Sequence, residues 1–329
     1  MSEKKIRVGI MGCAAIAKRS LAPAFDAHPL FHLTAIASRT YEKATEFAGQ
    51  YGARPCSYDE LVAADDVDLI YCPLPTGLHA EWVAKCLQAG KHVLCEKSLA
   101  CTYEEVQQLV ELARGRNLLL MESFQFRFHA QNLYVKKLLQ EKAIGSLRQV
   151  LVRFGIPPFP EGSANIRYSK ELGGGALLDN GAYTLKAASY LLGDNLTVLA
   201  AMNDATRPDK DGVGDDVDIT GSIMLRTQDG VPVQTAYGFS NFYQNGYEIW
   251  GKDGKITTTR AFTARSDFAA PVILETQSGR IEKTFQDDHF AKLLTHVAEC
   301  LSDGMFEEEY RQNLLQARLL ADTARLMNK

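Results

Sequence analysis

Five short apolar runs in the first third of the chain, at residues 6–11, 31–38, 69–72, 92–95 and 118–121, are separated by stretches with helical spacing. Strands buried on both faces read as unbroken apolar runs, and the helices between them cover those faces. The alternation therefore predicts a parallel, doubly wound βαβ domain. Two helix starts are marked by capping boxes, Ser57 with Glu60 ahead of Leu61 and Val62, and Thr102 with Glu105 ahead of Val106, Leu109 and Leu112.

Beyond about Glu122 the rhythm changes. One helical stretch, about 129–141, precedes segments rich in β-branched and aromatic residues at 147–154, 197–203, 218–226, 234–243, 246–251 and 255–260. With no helix between most of them, these predict a largely antiparallel sheet. Asp229-Gly230 and Asp253-Gly254 read as hairpin turns, because glycine tolerates the positive φ such turns demand. Residues 288–329 return to helical periodicity. The fold class expected is α/β, with a nucleotide-binding domain over 1–123 and an α+β domain over 124–329 carrying an open, mostly antiparallel sheet. The C-terminal helix is expected to pack back on the first domain.

A chain of 329 residues exceeds the size at which a single core stops growing, which agrees with two domains. A net charge of −4 with scattered Lys and Arg gives no electrostatic footprint for nucleic acid or an anionic membrane, and a small-molecule partner fits better. The seven cysteines lack paired CxxC spacing and the density of a disulfide scaffold, so reduced thiols and no metal ligand set are expected. The apolar stretch before Gly12 is too short for a signal-peptide core, and no later run approaches a membrane span. A cytoplasmic location follows.

The first strand ends in Gly12-Cys13-Ala14-Ala15-Ile16-Ala17, a degenerate form of the turn that brings a pyrophosphate to the backbone N–H groups of a helix N-terminus. A small-residue turn of no function would read the same, but this one heads a run of βαβ units. Dinucleotide folds that prefer NAD place a carboxylate at the end of the second strand. Here that strand ends in Ser38-Arg39-Thr40. A guanidinium beside two hydroxyls suits the 2′-phosphate of NADP(H), although Arg39 also fits a solvated residue starting the next helix.

In an open α/β sheet ligands bind beyond the carboxyl ends of the strands. Three segments qualify. Pro73-Leu74-Pro75-Thr76-Gly77-Leu78-His79 is stiffened by two prolines and placed to pass under the cofactor; His79 reads as ligand-facing or as a structural histidine. Glu96 and Lys97 leave an apolar strand at its tip, where surface decoration and a ligand-facing role are both open. Residues 173–183 join a glycine run to a helix on which Asp179 and Tyr183, spaced i, i+4, share a face. Asp179 as a helix cap with Tyr183 as a half-buried aromatic is the alternative.

Taken together, the turn at 12–17, the Pro-Leu-Pro-Thr-Gly-Leu-His segment at 73–79, Glu96-Lys97 and GGG-x-LLD-x-G-x-Y at 173–183 resemble the Gfo/Idh/MocA family of sugar oxidoreductases, over nearly the whole chain. The resemblance implies a Rossmann domain followed by an open-sheet domain. It assigns cofactor contacts to Gly12, Cys13, Ala14, Ile16, Ala17, Ser38, Arg39, Thr40, Leu74, Pro75, Thr76, Leu78, His79, Glu96 and Lys97. Lys97 and Tyr183 become the catalytic residues, and both contact the substrate with Asp179. Many members carry histidine where Tyr183 stands. Tyrosine, with the segments at 239–251 and 260–263, is similar to the nucleotide-sugar 3-ketoreductases and, at Tyr183, to the dihydrodiol dehydrogenases. The function implied is NADPH-dependent reduction of a keto group on a sugar or nucleotide-sugar. Oxidation of a free sugar or cyclic diol, and non-catalytic sensing of NADP, are the alternatives. An open antiparallel sheet with one face uncovered predicts a homodimer or homotetramer joined through the C-terminal sheet. Two departures stand out: Ala14 replaces the fingerprint's second glycine, and Ser98 replaces the proline that usually follows Glu-Lys, removing a backbone constraint.

Overall fold

The computed structural model describes residues 5–159, 165–205 and 217–327. They form two compact units, one holding the chain through Ser123 together with Phe290–Leu314, the other Phe124–His289 and the remaining C-terminal residues.

The first unit is built on six parallel strands, β1 (Ile6–Met11), β2 (Phe31–Ala37), β3 (Arg54–Cys56), β4 (Leu69–Cys72), β5 (His92–Glu96) and β6 (Leu120–Ser123), in the order β3-β2-β1-β4-β5-β6. The order reverses between β1 and β4, the topological switch point at which such sheets open a ligand crevice. Helices α1 (Ala22–Ala27), α2 (Tyr41–Gly49), α3 (Tyr58–Ala63), α4 (His79–Gln88) and α5 (Tyr103–Arg116) connect the strands. Both expected capping boxes form, at Ser57/Glu60 and Thr102/Glu105. The three-residue β3 is absent from the sequence expectation, because Arg54-Pro55-Cys56 is too short and too polar to stand out as an apolar run.

The second unit contributes α6 (Ala130–Gln140), α7 (Ala182–Leu192) and eight strands: β7 (Leu147–Gly155), β8 (Leu196–Asp204), β9 (Thr220–Thr227), β10 (Pro232–Gly238), β11 (Gln244–Gly251), β12 (Gly254–Thr258), β13 (Ala270–Thr276) and β14 (Gly279–Phe285). Their order is β14-β13-β12-β11-β7-β10-β9-β8, antiparallel throughout except where β10 runs parallel to β7. Sequence periodicity misses β13 and β14. The latter is exposed along most of its length, so its side chains carry no alternation of buried and polar positions. The segment expected as one strand over 234–243 ends at Gly238, and β11 begins at Gln244.

Gly230 takes the positive φ expected of a hairpin turn, at 86°. Gly254 does not. It opens β12, where a β-carbon would lie 2.4 Å from the Glu275 carbonyl oxygen, so close strand approach and not turn geometry requires glycine there.

Two helices, α8 (His289–Asp303) and α9 (Glu307–Met327), close the chain. Within the first unit Arg114 Nε and Nη2 donate to the Glu307 carboxylate at 2.8 and 2.9 Å. There too the Tyr310 hydroxyl donates to the Leu118 carbonyl at 2.5 Å, and Asn313 Nδ2 to that of Leu120 at 2.9 Å. A charged cluster pins α8 to α9: His296 Nε2 lies 3.0 Å from Glu309 Oε1 and 3.6 Å from Cys300 Sγ. Its hydrogen bonds to Cys300 and Glu309 push the His296 pKa up to about 10. A histidine whose folded pKa is raised gives stability that is complete below its unfolded value, about 6.5, and is lost as pH rises through the folded value. The denaturant midpoint should therefore fall between pH 7 and 10, and His296→Gln should flatten that fall. An unchanged slope in the variant would remove His296 as its cause.

Candidate active site

The cofactor-end residues expected from sequence all sit at or just beyond the carboxyl ends of strands in the first unit. Gly12 follows β1 with φ +117°, its N–H donating to the Ala37 carbonyl at 2.9 Å. A side chain at this position would meet unfavourable backbone geometry and the Leu74 Cδ2 atom, 3.1 Å from an ideal β-carbon. Cys13, Ala14 and Ile16 are half-buried and Ala17 fully buried as the chain turns into helix. After β2, Ser38 N–H donates to the Cys56 carbonyl at 3.2 Å and Thr40 N–H to Ser38 Oγ at 3.4 Å, while Arg39 and Thr40 are exposed.

His79 resolves to the structural reading. Its ring is fully buried, with Nδ1 2.8 Å from the Ser98 carbonyl oxygen and Nε2 2.7 Å from that of Leu74. Both nitrogens face backbone carbonyl oxygens; burial lowers the His79 pKa and favours the neutral ring, whose single N–H can donate to only one of them at a time, so His79 sits between the Leu74–Pro75–Thr76–Leu78 segment and the loop after β5 with both nitrogens turned to backbone. The Sγ atoms of Cys72 and Cys95 and the His79 ring lie within 4.8 Å of one another. Burial holds the Cys95 thiol well above its ordinary pKa, and with His79 occupied the trio is not in the form a metal ion needs.

β5 delivers Glu96 and Lys97. Glu96 Oε1 accepts a 2.8 Å hydrogen bond from the Tyr71 hydroxyl, and burial raises the Glu96 pKa against the pull of Tyr71 and Lys97. The Lys97–Ser98 peptide bond is cis. Serine at 98 does not leave this backbone loose. Its carbonyl is held by His79, and the next N–H, of Leu99, donates to buried Glu122 at 2.9 Å, so neighbouring side chains supply a constraint on the backbone around Lys97.

Asp179 and Tyr183 belong to the second unit. Residues Leu177–Gly181 form a π-helical turn that runs into α7, so the i, i+4 face expected of a regular helix does not describe Asp179. Nor does Asp179 cap the helix. Asp218 does so, its carboxylate accepting from Leu177 N–H at 2.7 Å and its carbonyl from Ala176 N–H at 2.8 Å. Burial lifts the Asp218 pKa to about 6. Asp179 instead accepts a 2.5 Å hydrogen bond from Arg167 Nε. The guanidinium lies 5.2 Å from the Phe159 ring centroid, and its charge also acts on Tyr183. Tyr183 is 7% exposed, enclosed by Phe124, Phe126, Phe154 and Phe262 at centroid distances of 5.2–6.0 Å.

Sequence reading misses Arg167. It lies in a loop without periodicity, and its partner is twelve positions away across a glycine run. Tyr58 is missed as well. Its hydroxyl lies 3.7 Å from where a β-carbon on Gly12 would stand.

Residues 6–124 match the Gfo/Idh/MocA oxidoreductase family with its NAD-binding Rossmann fold, and residues 132–257 match that family's C-terminal domain. A dTDP-3,4-didehydro-2,6-dideoxy-alpha-D-glucose 3-reductase from Actinomadura kijaniata is 39% identical over 97% of this chain and 95% of its own length. A crystal structure of a 3-ketoreductase from the same organism, in complex with NADP and TDP-benzene, is 38% identical with a TM-score of 0.92 over 98% of both chains. Variants of that ketoreductase with a tyrosine changed to phenylalanine or a lysine changed to alanine have also been solved. An NADP(+)-dependent D-xylose 1-dehydrogenase from Haloferax volcanii is 31% identical over 90% of this chain and 89% of its own length. The two domain matches in tandem and the near full-length relatives identify the chain as a member of the Gfo/Idh/MocA oxidoreductase family.

Proposed function

We propose that the protein reduces a keto group on a nucleotide-linked deoxysugar with NADPH. The observation that carries this reading is the 39% identity across 97% of the chain to a dTDP-keto-sugar 3-reductase. Lysine and tyrosine are the residue types altered in the ketoreductase variants, and Lys97 and Tyr183 supply both types here.

The cofactor fits the residues present. Gly12 leaves a cradle that a β-carbon would fill, Arg39 stands exposed beside Ser38 and Thr40, and no carboxylate occupies the end of β2. Gly12, Cys13, Ala14, Ile16 and Ala17 hold the pyrophosphate; Ser38, Arg39 and Thr40 hold the 2′-phosphate; Leu74, Pro75, Thr76 and Leu78, tied down by His79, and Glu96 line the nicotinamide end. Bound there, NADPH supplies hydride to the carbonyl carbon.

The protein's own task is to steady charge and proton at the carbonyl oxygen. Lys97 polarises it, Tyr183 donates the proton, and Asp179 holds a sugar hydroxyl. Arg167 fixes Asp179 and, by its charge, favours the phenolate that remains once Tyr183 has given up its proton. Oxidation of a free sugar uses the same groups in reverse, as the relationship to the D-xylose dehydrogenase allows. Incubation with NADPH and a panel of free and nucleotide-linked keto-sugars, read as loss of nicotinamide absorbance, separates the readings. Turnover confined to nucleotide-linked substrates supports the proposal, and absence of turnover with every substrate favours a sensor.

The face of the second sheet bearing Met202, Met224 and Trp250, 75, 44 and 40% exposed, is the surface through which a dimer or tetramer forms. A monomer in solution scattering contradicts this. Among the described residues no helix is long and apolar enough to cross a membrane. The seven cysteines are free thiols, five of them buried, which suits a cytoplasmic location.

A further inference from the structure

Tyr58 stands where two cofactor loops of the first unit converge. β3 pairs with β2 so that Cys56 lies opposite Ala37, and the Cys56 carbonyl accepts the Ser38 N–H at 3.2 Å. The chain leaving β3 therefore runs beside residues 38–40. Reciprocal bonds of the capping box, Ser57 N–H to Glu60 Oε2 at 2.7 Å and Glu60 N–H to Ser57 Oγ at 3.3 Å, fix the first turn of α3 and hence the aim of Tyr58. The ring meets Trp82 edge to face at 5.1 Å, and Trp82 is in turn covered by Lys85 Nζ at 4.0 Å. This stack leaves the phenol little freedom to swing away.

The hydroxyl comes within 3.7 Å of the position a β-carbon on Gly12 would take, and the charge of the Arg39 guanidinium acts on it. A carboxylate between these loops would accept from the ribose hydroxyl of NAD; a phenolic hydroxyl can donate instead, and a phosphate offers three acceptor oxygens.

We propose that Tyr58 is a cofactor-selectivity residue whose hydroxyl donates to the 2′-phosphate of NADP(H) beside the Arg39 guanidinium. The assignment rests on the cofactor reading given above and extends it to a residue outside the segments that carry the family resemblance. Tyr58→Phe keeps the ring packed on Trp82 and removes only the donor. A hydrogen bond to a charged group is of a size that makes NADPH and adenosine 2′,5′-bisphosphate each bind about tenfold more weakly to the variant. NADH and adenosine 5′-monophosphate, which lack the 2′-phosphate, should bind within about twofold of wild type on the same scale. Titration calorimetry reads all four ligands, with a thermal melt to verify that the variant is folded. Unchanged NADPH affinity overturns the proposal, and so does equal weakening of NADPH and NADH. The underlying cofactor reading fails separately, if the unaltered protein binds NADH as tightly as NADPH.

Discussion

Replacing Lys97 by alanine is expected to lower turnover of the keto-sugar by about 10²–10³-fold while the dissociation constant for NADPH changes by no more than about twofold. The split follows from where Lys97 sits. The backbone around it is held by other residues, His79 on the Ser98 carbonyl and Glu122 on the Leu99 N–H, so truncating the side chain leaves the loop after β5 in place. What disappears is the ammonium, whose work is done at an oxygen that gains negative charge only as the reaction proceeds. An interaction that strengthens in the transition state affects kcat and leaves ground-state binding nearly alone. Steady-state kinetics paired with a fluorescence titration of NADPH measures both. Turnover within a few-fold of wild type removes Lys97 from the chemistry, and a matching loss of NADPH affinity makes it a binding residue instead.

The parallel sheet was legible in sequence because its strands are buried on both faces: Leu69–Cys72 is fully buried and His92–Glu96 nearly so, and burial on two sides leaves an unbroken apolar run. β14 was invisible for the opposite reason, since a strand exposed along its length has no pattern to read. Among the candidate site residues, Gly12, Lys97 and Tyr183 lie in segments whose local form the sequence dictates (a strand-to-helix turn, a strand tip, a helix start), but the catalytic roles of Lys97 and Tyr183 came from the family resemblance and not from that form. Arg167 could not be singled out from sequence. Its role comes from a loop that folds back on the glycine run, with the Arg167 carbonyl accepting from Gly175 N–H at 2.8 Å, and no local preference encodes that contact. The same holds for Asp218, which caps the turn carrying Asp179 from forty-one positions away. For His79 the sequence left the choice open between a ligand-facing and a structural histidine, and the backbone carbonyls facing its two nitrogens support the structural reading.

Arg167→Met tests whether that loop contact matters to catalysis. The substitution keeps much of the side-chain volume over Phe159 and removes the charge that acts on both Asp179 and Tyr183. Loss of one charge-assisted hydrogen bond at a half-buried carboxylate, together with a weaker proton donor, should reduce kcat/KM by about 10–10²-fold. The pH profile distinguishes catalysis from mere support. A general acid fails as pH rises through its own pKa, and a nearby positive charge favours the ionised phenol and so brings that failure to lower pH. Without Arg167 the alkaline limb of kcat/KM should move to higher pH, Arg167→Lys should return it part of the way, and Tyr183→Phe should abolish the limb. If Arg167→Met lowers kcat/KM and the limb stays in place, the arginine only holds Asp179. If the limb survives in Tyr183→Phe, the proton comes from elsewhere and the assignment of Tyr183 falls with it.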